Sequence, residues 1–242
     1  MSIYYIPGAA ASMFKVAVLN SKGGCGKSMI ASNLAAWYAV GGHYTALMDF
    51  DPQGSALRWL SLRPRNRPTI HGVNGGHRSS GVTRSWQMRL PEETQRVVID
   101  TPAGVRGLEL DELIRQCDVI VVPVLPSDAD IHAGAGFIAD LLLDARIRSA
   151  GTRVVVVANR VKANTRIYAS LQRFLSRLDF PFVARFSDSQ TYVQAAQAGL
   201  GLCETKVDAL VEREVGQWRR LLAALEGRIE PQDITPLPAV TG

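Results

Sequence analysis

The sequence predicts an α/β fold, a doubly wound and mostly parallel sheet with helices on both faces. Apolar runs rich in β-branched residues, such as 119–122 and 154–157, recur along the 242-residue chain. These runs lack the polar–apolar alternation of a half-exposed strand, which indicates burial on both faces of the sheet. Helical patterns separate the runs, and this repeated strand–helix order is typical of βα winding. The hydrophobic content of 47% is enough for one large domain with a substantial core.

The predicted elements follow that order along the chain. Strands are predicted at 14–20, 44–50, 69–73, 96–100, 119–124, 153–159 and 181–184. Helices are predicted at 28–40, 54–61, 107–116, 129–149, 165–178, 189–198 and 206–226. The arginine-, glycine- and serine-rich segment 63–88 is expected to be a long, mobile connection. We expect one domain over 13–228, a flexible lead over 1–12 and a disordered, proline-rich tail over 229–242.

Charge is distributed unevenly along the chain. The formal net charge is +5, and the segments 63–96 and 160–185 each carry a local net charge of +5. Such patches suit a polyanionic partner, nucleic acid first, while solvated arginines on exposed faces are the alternative. The three cysteines lack metal-binding spacing, residues 1–12 do not resemble a signal peptide, and no apolar stretch reaches about 18 residues. We therefore expect a cytoplasmic protein without integral membrane association.

Residues 22–28, Lys-Gly-Gly-Cys-Gly-Lys-Ser, have the pattern of a phosphate-binding loop. A predicted strand precedes them and a predicted helix follows, so bound phosphates would lie at a helix N-terminus. Lys27 is expected to reach the β- and γ-phosphates, and the Ser28 hydroxyl to ligate Mg²⁺. The loop lacks the usual first glycine and carries a second lysine, Lys22. The predicted nucleotide contacts in this segment are Gly23, Gly24, Cys25, Gly26, Lys27, Ser28 and Met29.

Carboxylates close two of the predicted strands. Asp49 and Asp51 follow one apolar run and Asp100 ends another, at the edge where open α/β sheets bind their ligands. An unpaired carboxylate there is costly unless a metal ion is near, so Asp49 and Asp100 are predicted to hold Mg²⁺ with Ser28. Asp51 is predicted to orient the attacking water or to accept its proton. The alternative is that these acids cap turns or the following helix.

The phosphate-binding loop, the segment 49–54 (Asp-Phe-Asp-Pro-Gln-Gly) and the segment 99–104 (Ile-Asp-Thr-Pro-Ala-Gly) resemble the ParA/MinD family of deviant Walker A ATPases. The resemblance covers residues 14–226 and implies the P-loop NTPase fold, with ATP and Mg²⁺ as cofactors and slow hydrolysis of ATP to ADP and phosphate. It also implies a face-to-face ATP-bound homodimer in which Lys22 crosses to the partner's phosphates. Lys22, Lys27 and Asp51 are then the catalytic residues. An activating adaptor, ParB-like or other, is expected to stimulate hydrolysis.

The resemblance further implies that the ATP-bound state grips a surface, DNA in the ParA branch and a membrane in the MinD branch. Arg166, Arg173 and Arg177 share one face of a predicted helix, which suits phosphate contacts without base readout. Arg219 and Arg220 are expected to add to this surface. The last predicted helix has an apolar stripe that we interpret as core packing, with a membrane face as the alternative. We favour non-specific DNA and a nucleoid-associated location, because the tail is not a basic amphipathic segment.

The base of the nucleotide is expected to lie at the ends of two later strands. Asn159 and Arg160 resemble the family's base-binding position, where an amide would read the edge of adenine. Phe186 and Asp188 are predicted to form the other wall, largely through the backbone. For Asn159 the alternative is a helix or turn cap.

The expected function is a partition or positioning ATPase that moves a plasmid, a chromosome or a protein assembly. A MinD-like membrane-associated spatial regulator and a metabolic ATP-dependent ligase on the same fold are the alternatives. An iron–sulfur ATPase would need two cysteines per subunit near the dimer axis, which Cys117 and Cys203 do not match in position.

Overall fold

The computed structural model describes residues 13–76, 89–127, 151–162, 165–175 and 182–228, together with helical positions 134, 136–138 and 141. The strands are β1 (Phe14–Val18), β2 (Thr45–Asp49), β3 (Ile70–Asn74), β4 (Arg96–Asp100), β5 (Val119–Val124), β6 (Arg153–Val161) and β7 (Phe182–Ser187). The helices are α1 (Lys27–Val40), α2 (Ser55–Ser61), α3 (Gly107–Gln116), α4 (Arg166–Leu175), α5 (Gln190–Gln197) and α6 (Ala209–Leu225), with a 3-10 helix at Leu202–Glu204. The lead 1–12, the tail 229–242 and most of the predicted helix 129–149 lie outside the described residues.

The strands form one sheet in the order β3-β2-β4-β1-β5-β6-β7. Every pairing in it is parallel, so the predicted doubly wound fold is confirmed and the described sheet is parallel throughout. Strand β1 lies at the centre, and the chain winds from it first toward β3 and then toward β7. A reversal of this kind leaves a crevice at the carboxyl ends of the central strands.

Two hydrophobic cores lie on opposite faces of the sheet. One contains Leu113 of α3 and Leu171 of α4, and the other contains Leu34 of α1 and Trp218 of α6. Neighbouring residues of one strand enter different cores, which confirms the predicted burial on both faces. The apolar stripe of α6 is core packing, as predicted, because Val211, Trp218 and Leu225 are buried and the partly buried Val215 and Leu222 pack against the same core. None of the described helices is both long and apolar enough to cross a membrane.

Strand β7 extends to Ser187, three residues beyond its predicted end. It is the last strand of the sheet, and α6 supplies side chains that bond to its outer backbone. The Arg185 N–H donates to Gln217 Oε1 and the Ser187 N–H donates to Glu214 Oε2, both at 3.0 Å. A strand edge whose amides are bonded in this way is protected from other chains. The local sequence carries no sign of these distant acceptors.

The start of the arginine-rich connection is fixed to the domain, so the expectation of a mobile segment is wrong for residues 63–76. Arg63 forms a buried bidentate ion pair with Glu204 of the 3-10 helix, at 2.7 and 2.8 Å. Arg67 donates to the Glu204 carbonyl. The segment then enters β3, which pairs with β2 and lies one residue later than predicted. Residues 77–88 lie outside the described residues.

We predict that Glu204→Gln lowers the free energy of unfolding by about 3 kcal/mol, because the buried Arg63 would keep its charge without a carboxylate to balance it. The two side chains are only 5% and 1% exposed. Urea unfolding measures the loss. Lys162→Ala is the control, since Lys162 is 71% exposed in its pair with Asp188 and should cost less than about 1 kcal/mol. Equal losses of unfolding free energy in Glu204→Gln and Lys162→Ala would contradict the conclusion that the buried ion pair contributes more than the exposed one.

Candidate functional site

The register of the central strands brings the predicted site segments together. Val18, Asp100 and Asp49 are register partners across β1, β4 and β2. The two carboxylates therefore end their strands at one level, beside the loop that leaves β1. This arrangement puts the phosphate-binding loop and the predicted metal-binding acids at one edge of the sheet.

Two glycines in left-handed conformations shape the loop between β1 and α1. Gly24 has φ +76° and Gly26 has φ +91°, and Gly26 is the N-cap of α1. Asn20 Oδ1 accepts the Lys22 N–H at 2.9 Å and holds the first part of the loop. The chain then enters α1 at Lys27, where the first N–H groups of a helix lack intrahelical partners and attract anions.

Asn159 of β6 holds the phosphate-binding loop in place, a role that the sequence did not reveal. Its Nδ2 donates to the Cys25 carbonyl at 2.8 Å, and the side chain is fully buried. A Cβ on Gly26 would lie 2.1 Å from that nitrogen, so only glycine fits there. Asn159 Oδ1 is buried without a hydrogen-bond partner among the described residues. It therefore offers an acceptor beside the loop.

We predict that Gly26→Ala destabilises the protein and abolishes nucleotide binding, because the new methyl group would displace Asn159 from the loop. Gly24→Ala is the matched control. It has the same kind of positive φ, but nothing lies within 4 Å of its Cβ position, so it should cost only about 1–2 kcal/mol. Thermal unfolding of both variants compares their losses of stability, and ATP titration of Gly26→Ala measures the loss of nucleotide binding. Equal losses of stability in the two variants would exclude the close approach of Asn159 as the cause.

The two lysines of the loop are linked through the backbone. Lys27 is only 6% exposed, and its Nζ donates to the Lys22 carbonyl at 3.1 Å. The ammonium group of Lys27 therefore lies inside the loop, where an anion would be bound. The side chain of Lys22 is half-buried.

Asp100 is a carboxylate in surroundings that disfavour its negative charge. It is fully buried, and neither carboxylate oxygen has a well-formed hydrogen bond among the described residues. The pKa of Asp100 is raised from 3.8 to about 7, chiefly because burial disfavours the charged form; the nearby Asp49 and Asp51 also raise it, whereas a contact with the Ser28 hydroxyl and the Lys27 charge lower it. Buried carboxylates are normally paired or bound to a cation. A carboxylate and a hydroxyl are the hard oxygen donors that Mg²⁺ prefers, so Asp100 and Ser28 fit this ion.

Asp49 caps the following turn and helix, which was the alternative prediction for the acids at the strand ends. Its Oδ2 accepts the N–H groups of Ala56 and Leu57 at the start of α2, at 3.0 and 3.1 Å. Its Oδ1 accepts the Asp51 N–H at 3.0 Å, and burial raises the pKa of this carboxyl above its usual value. Asp49 thus fixes the turn that carries Asp51. Its part in metal binding stays a prediction.

We predict that Asp100→Asn gains stability over the wild type as the pH rises, in the absence of magnesium and nucleotide. Because the folded pKa lies above the unfolded value, ionisation of Asp100 destabilises the fold between about pH 4 and about pH 7. The variant should match the wild type near pH 4 and exceed it by about 4 kcal/mol at pH 8. Urea unfolding at both pH values measures this.

Asp118→Asn is the control for that measurement, because Asp118 is exposed and accepts the Lys15 N–H at 2.7 Å. It should gain nothing as the pH rises. A pH-independent difference between Asp100→Asn and the wild type would show that Asp100 is already ionised or already paired.

A cleft of about 560 Å³ opens beside the phosphate-binding loop. We name it the base-side cleft, because it lies where the sequence predicts the nucleotide base. It lies between the start of α1, the ends of β6 and β7, and the helices α2 and α5. Its principal lining residues are Gly26, Met29, Trp59, Asn159, Arg160, Ser187, Asp188, Ser189, Tyr192 and Val193. Asn159, Arg160 and Asp188 were predicted from the sequence, whereas Trp59 and Tyr192 were not, because distant helices bring them there. Phe186, also predicted from the sequence, is not among the lining residues, because its ring is buried and stacks on Trp218 at 4.3 Å.

The arginines predicted to bind DNA lie on two layers of the fold. Arg166 and Arg173 are exposed on α4, and Arg219 is exposed and Arg220 half-buried on α6. Helices α4 and α6 pack on opposite faces of the sheet, with the edge strand β7 between them. A single basic surface that included all four arginines would have to pass around that edge. Arg177 lies outside the described residues.

A model of the CobQ/CobB/MinD/ParA nucleotide-binding domain matches residues 16–200. The chain belongs to this family. The match spans the phosphate-binding loop, Asp49, Asp100 and the base-side cleft. Among its relatives is the maintenance of carboxysome distribution protein A of Halothiobacillus neapolitanus, 28% identical over 173 residues, or 72% of this chain and 78% of the relative. The chromosome-partitioning ATPase Soj of Thermus thermophilus is 28% identical over 192 residues, or 67% of this chain and 77% of Soj.

Solved structures show the same fold at low sequence identity. A Cyanothece McdA variant in complex with ATP superposes with a TM-score of 0.65 at 15% identity, covering 88% of this chain and 97% of the other. The MinD protein of Pyrococcus horikoshii, complexed with Mg-ADP, has a TM-score of 0.62 at 13% identity, covering 90% and 100%. The predicted fold is thereby confirmed as that of the ParA/MinD proteins.

Proposed function

We propose that this protein is an ATP-hydrolysing partition or positioning protein of the ParA kind. The observation that supports this most is the buried carboxylate of Asp100, which has no well-formed hydrogen bond among the described residues and lies near Lys27 and Ser28 of the phosphate-binding loop. These groups complement a magnesium–triphosphate, which supplies both the cation that Asp100 lacks and the anion that Lys27 faces. Family membership supports the same assignment.

Each residue of the site has a defined part in the proposed reaction. The amides at the start of α1 and the Lys27 ammonium would hold the β- and γ-phosphates in line for attack. Asp51 would orient the attacking water, on the turn that Asp49 fixes. Lys22 of one protomer would stabilise the transferred phosphoryl group bound to its partner. Asp100 and Ser28 would hold Mg²⁺, which neutralises the charge that develops on the phosphate oxygens.

Adenine would enter the base-side cleft. Asn159 Oδ1 is a buried acceptor without a partner among the described residues, and it would receive the amino group of the base. Arg160 lines the same cleft in a left-handed conformation, with φ +51°. Strained backbone of this kind in a non-glycine residue is concentrated at ligand sites.

The cellular role that we propose follows the names of the relatives. One is a carboxysome distribution protein and another a chromosome-partitioning ATPase. The ATP-bound dimer would bind DNA non-specifically on the nucleoid, and an adaptor protein on the cargo would stimulate hydrolysis and so release it. Burial of the α6 stripe favours this DNA-bound form over a membrane-bound regulator.

We predict that Lys22→Ala retains ATP binding but loses dimer-dependent hydrolysis, because the lysine would act on the partner's phosphates. Lys27→Ala is the comparison and should lose ATP binding itself. Isothermal titration with Mg-ATP, sedimentation and phosphate release at several protein concentrations separate the two effects. Hydrolysis per protomer in Lys22→Ala that still rose with concentration would exclude the crossing role.

We predict that replacing Arg166 and Arg173 by glutamate weakens ATP-dependent DNA binding and lowers its salt dependence, because each lost phosphate contact removes about one counterion from the salt slope. Arg65 and Arg115 are exposed arginines elsewhere, so their double replacement controls for net charge. Filter binding over a range of salt, with phospholipid vesicles in parallel, tests this. Vesicle binding without DNA binding would support the MinD-like alternative instead.

A further inference from the structure

A buried hydrogen-bond network joins α6 to the wall of the base-side cleft. The Tyr192 hydroxyl donates to Glu214 Oε2 at 2.9 Å, and the Ser187 N–H donates to the same oxygen at 3.0 Å. Trp218 Nε1 donates to the Tyr192 oxygen at 3.1 Å. Tyr192 and Ser187 line the cleft, whereas Glu214 and Trp218 lie behind them on α6.

The phosphate chemistry does not explain why a carboxylate is buried at this position. Glu214 is only 3% exposed, and its α6 neighbour Arg213 lies 3.9 Å from the second carboxylate oxygen. Burying a carboxylate is costly unless several donors bond to it. The donors here come from the end of β7 and from α5, two elements that carry residues of the cleft wall. Burial and the Glu214 charge both raise the pKa of Tyr192, so its hydroxyl keeps the proton that this bond requires.

Aromatic packing holds the same group of residues. Phe186 stacks on Trp218 at 4.3 Å and meets the edge of Tyr192 at 6.4 Å. The ring of Tyr192 is thus fixed by Phe186 on one side and by two hydrogen bonds at its hydroxyl. Loss of the Glu214 oxygen would leave both Tyr192 and the end of β7 without their shared anchor.

We propose that Glu214 is a positioning residue for the nucleotide base, which sets the base-side cleft by fixing Tyr192 and the end of β7. The inference rests on the proposed nucleotide-binding function and adds a residue that does not itself touch the nucleotide. Strands β1, β2 and β4 hold the phosphate-binding loop, Asp51 and Asp100 independently of α6. Disturbing Glu214 should therefore weaken ATP binding and raise KM, while kcat at saturating ATP stays unchanged.

Three variants test the proposal by titration with Mg-ATP and by steady-state hydrolysis. Glu214→Gln keeps an acceptor oxygen of the same shape and should bind ATP within about twofold of the wild type. Glu214→Met removes the acceptor at similar volume and should bind ATP about tenfold or more weakly. Tyr192→Phe removes one hydroxyl and should bind about threefold to fivefold more weakly.

Thr152→Val is the matched control, because it also removes a buried hydroxyl. Thr152 Oγ1 donates to the carbonyls of Ile114 and Cys117, away from the base-side cleft. Its ATP affinity should equal that of the wild type. If Glu214→Met fails to fold, the comparison of Tyr192→Phe with Thr152→Val decides the question.

Three results would overturn the inference while the proposed function stands. These are unchanged ATP affinity in folded Glu214→Met and Tyr192→Phe, equal weakening in Tyr192→Phe and Thr152→Val, or a Glu214→Gln variant as weak as Glu214→Met. A wild-type chain that bound no Mg-ATP would overturn the proposed function, and the inference with it. The two failures are therefore distinguishable.

Discussion

The site depends on a buried carboxylate that has no well-formed hydrogen bond within the described part of the chain. Asp100 ends a central strand, at the same level as Asp49, and Lys27 and Ser28 face it from the adjacent loop. The sheet itself offers no compensation for that charge, so the arrangement is electrostatically complete only with a cation and an anion in place. In a site of this kind, ligand binding stabilises the fold, because a bound cation removes the electrostatic cost of burying the Asp100 charge.

The residues around the site divide into those that we propose to contact the nucleotide and those that hold these contact residues in position. Asn159 belongs partly to the supporting residues, because its Nδ2 holds the loop and only its Oδ1 is available to a base. Asp49 is mainly a supporting residue, because its carboxylate accepts three backbone N–H hydrogen bonds that fix the turn carrying Asp51. Glu214 repeats the pattern on the base side. Supporting polar groups of this kind give a phosphate site its geometry, because a glycine-rich loop has little rigidity of its own.

Helix α6 unites several features that look unrelated along the chain. Its inner face completes one hydrophobic core, its polar side chains close the free edge of β7, and its outer face carries exposed Arg219. The base-side cleft is therefore separated from the exposed face of α6 only by Glu214 and the end of β7.

The sequence alone determined the fold class, the phosphate-binding loop and the two strand ends with acids, because these are local patterns. Continuous valine runs predict two-sided burial, and a glycine-rich turn between a strand and a helix predicts an anion site. Only the tertiary structure decided that Arg63 is buried against Glu204, that β7 runs on to Ser187, and that α4 and α6 lie on opposite faces. The physical reason is the same in each case. Packing decides which groups meet, not sequence neighbours: the Ser187 N–H and its acceptor Glu214 are 27 residues apart along the chain.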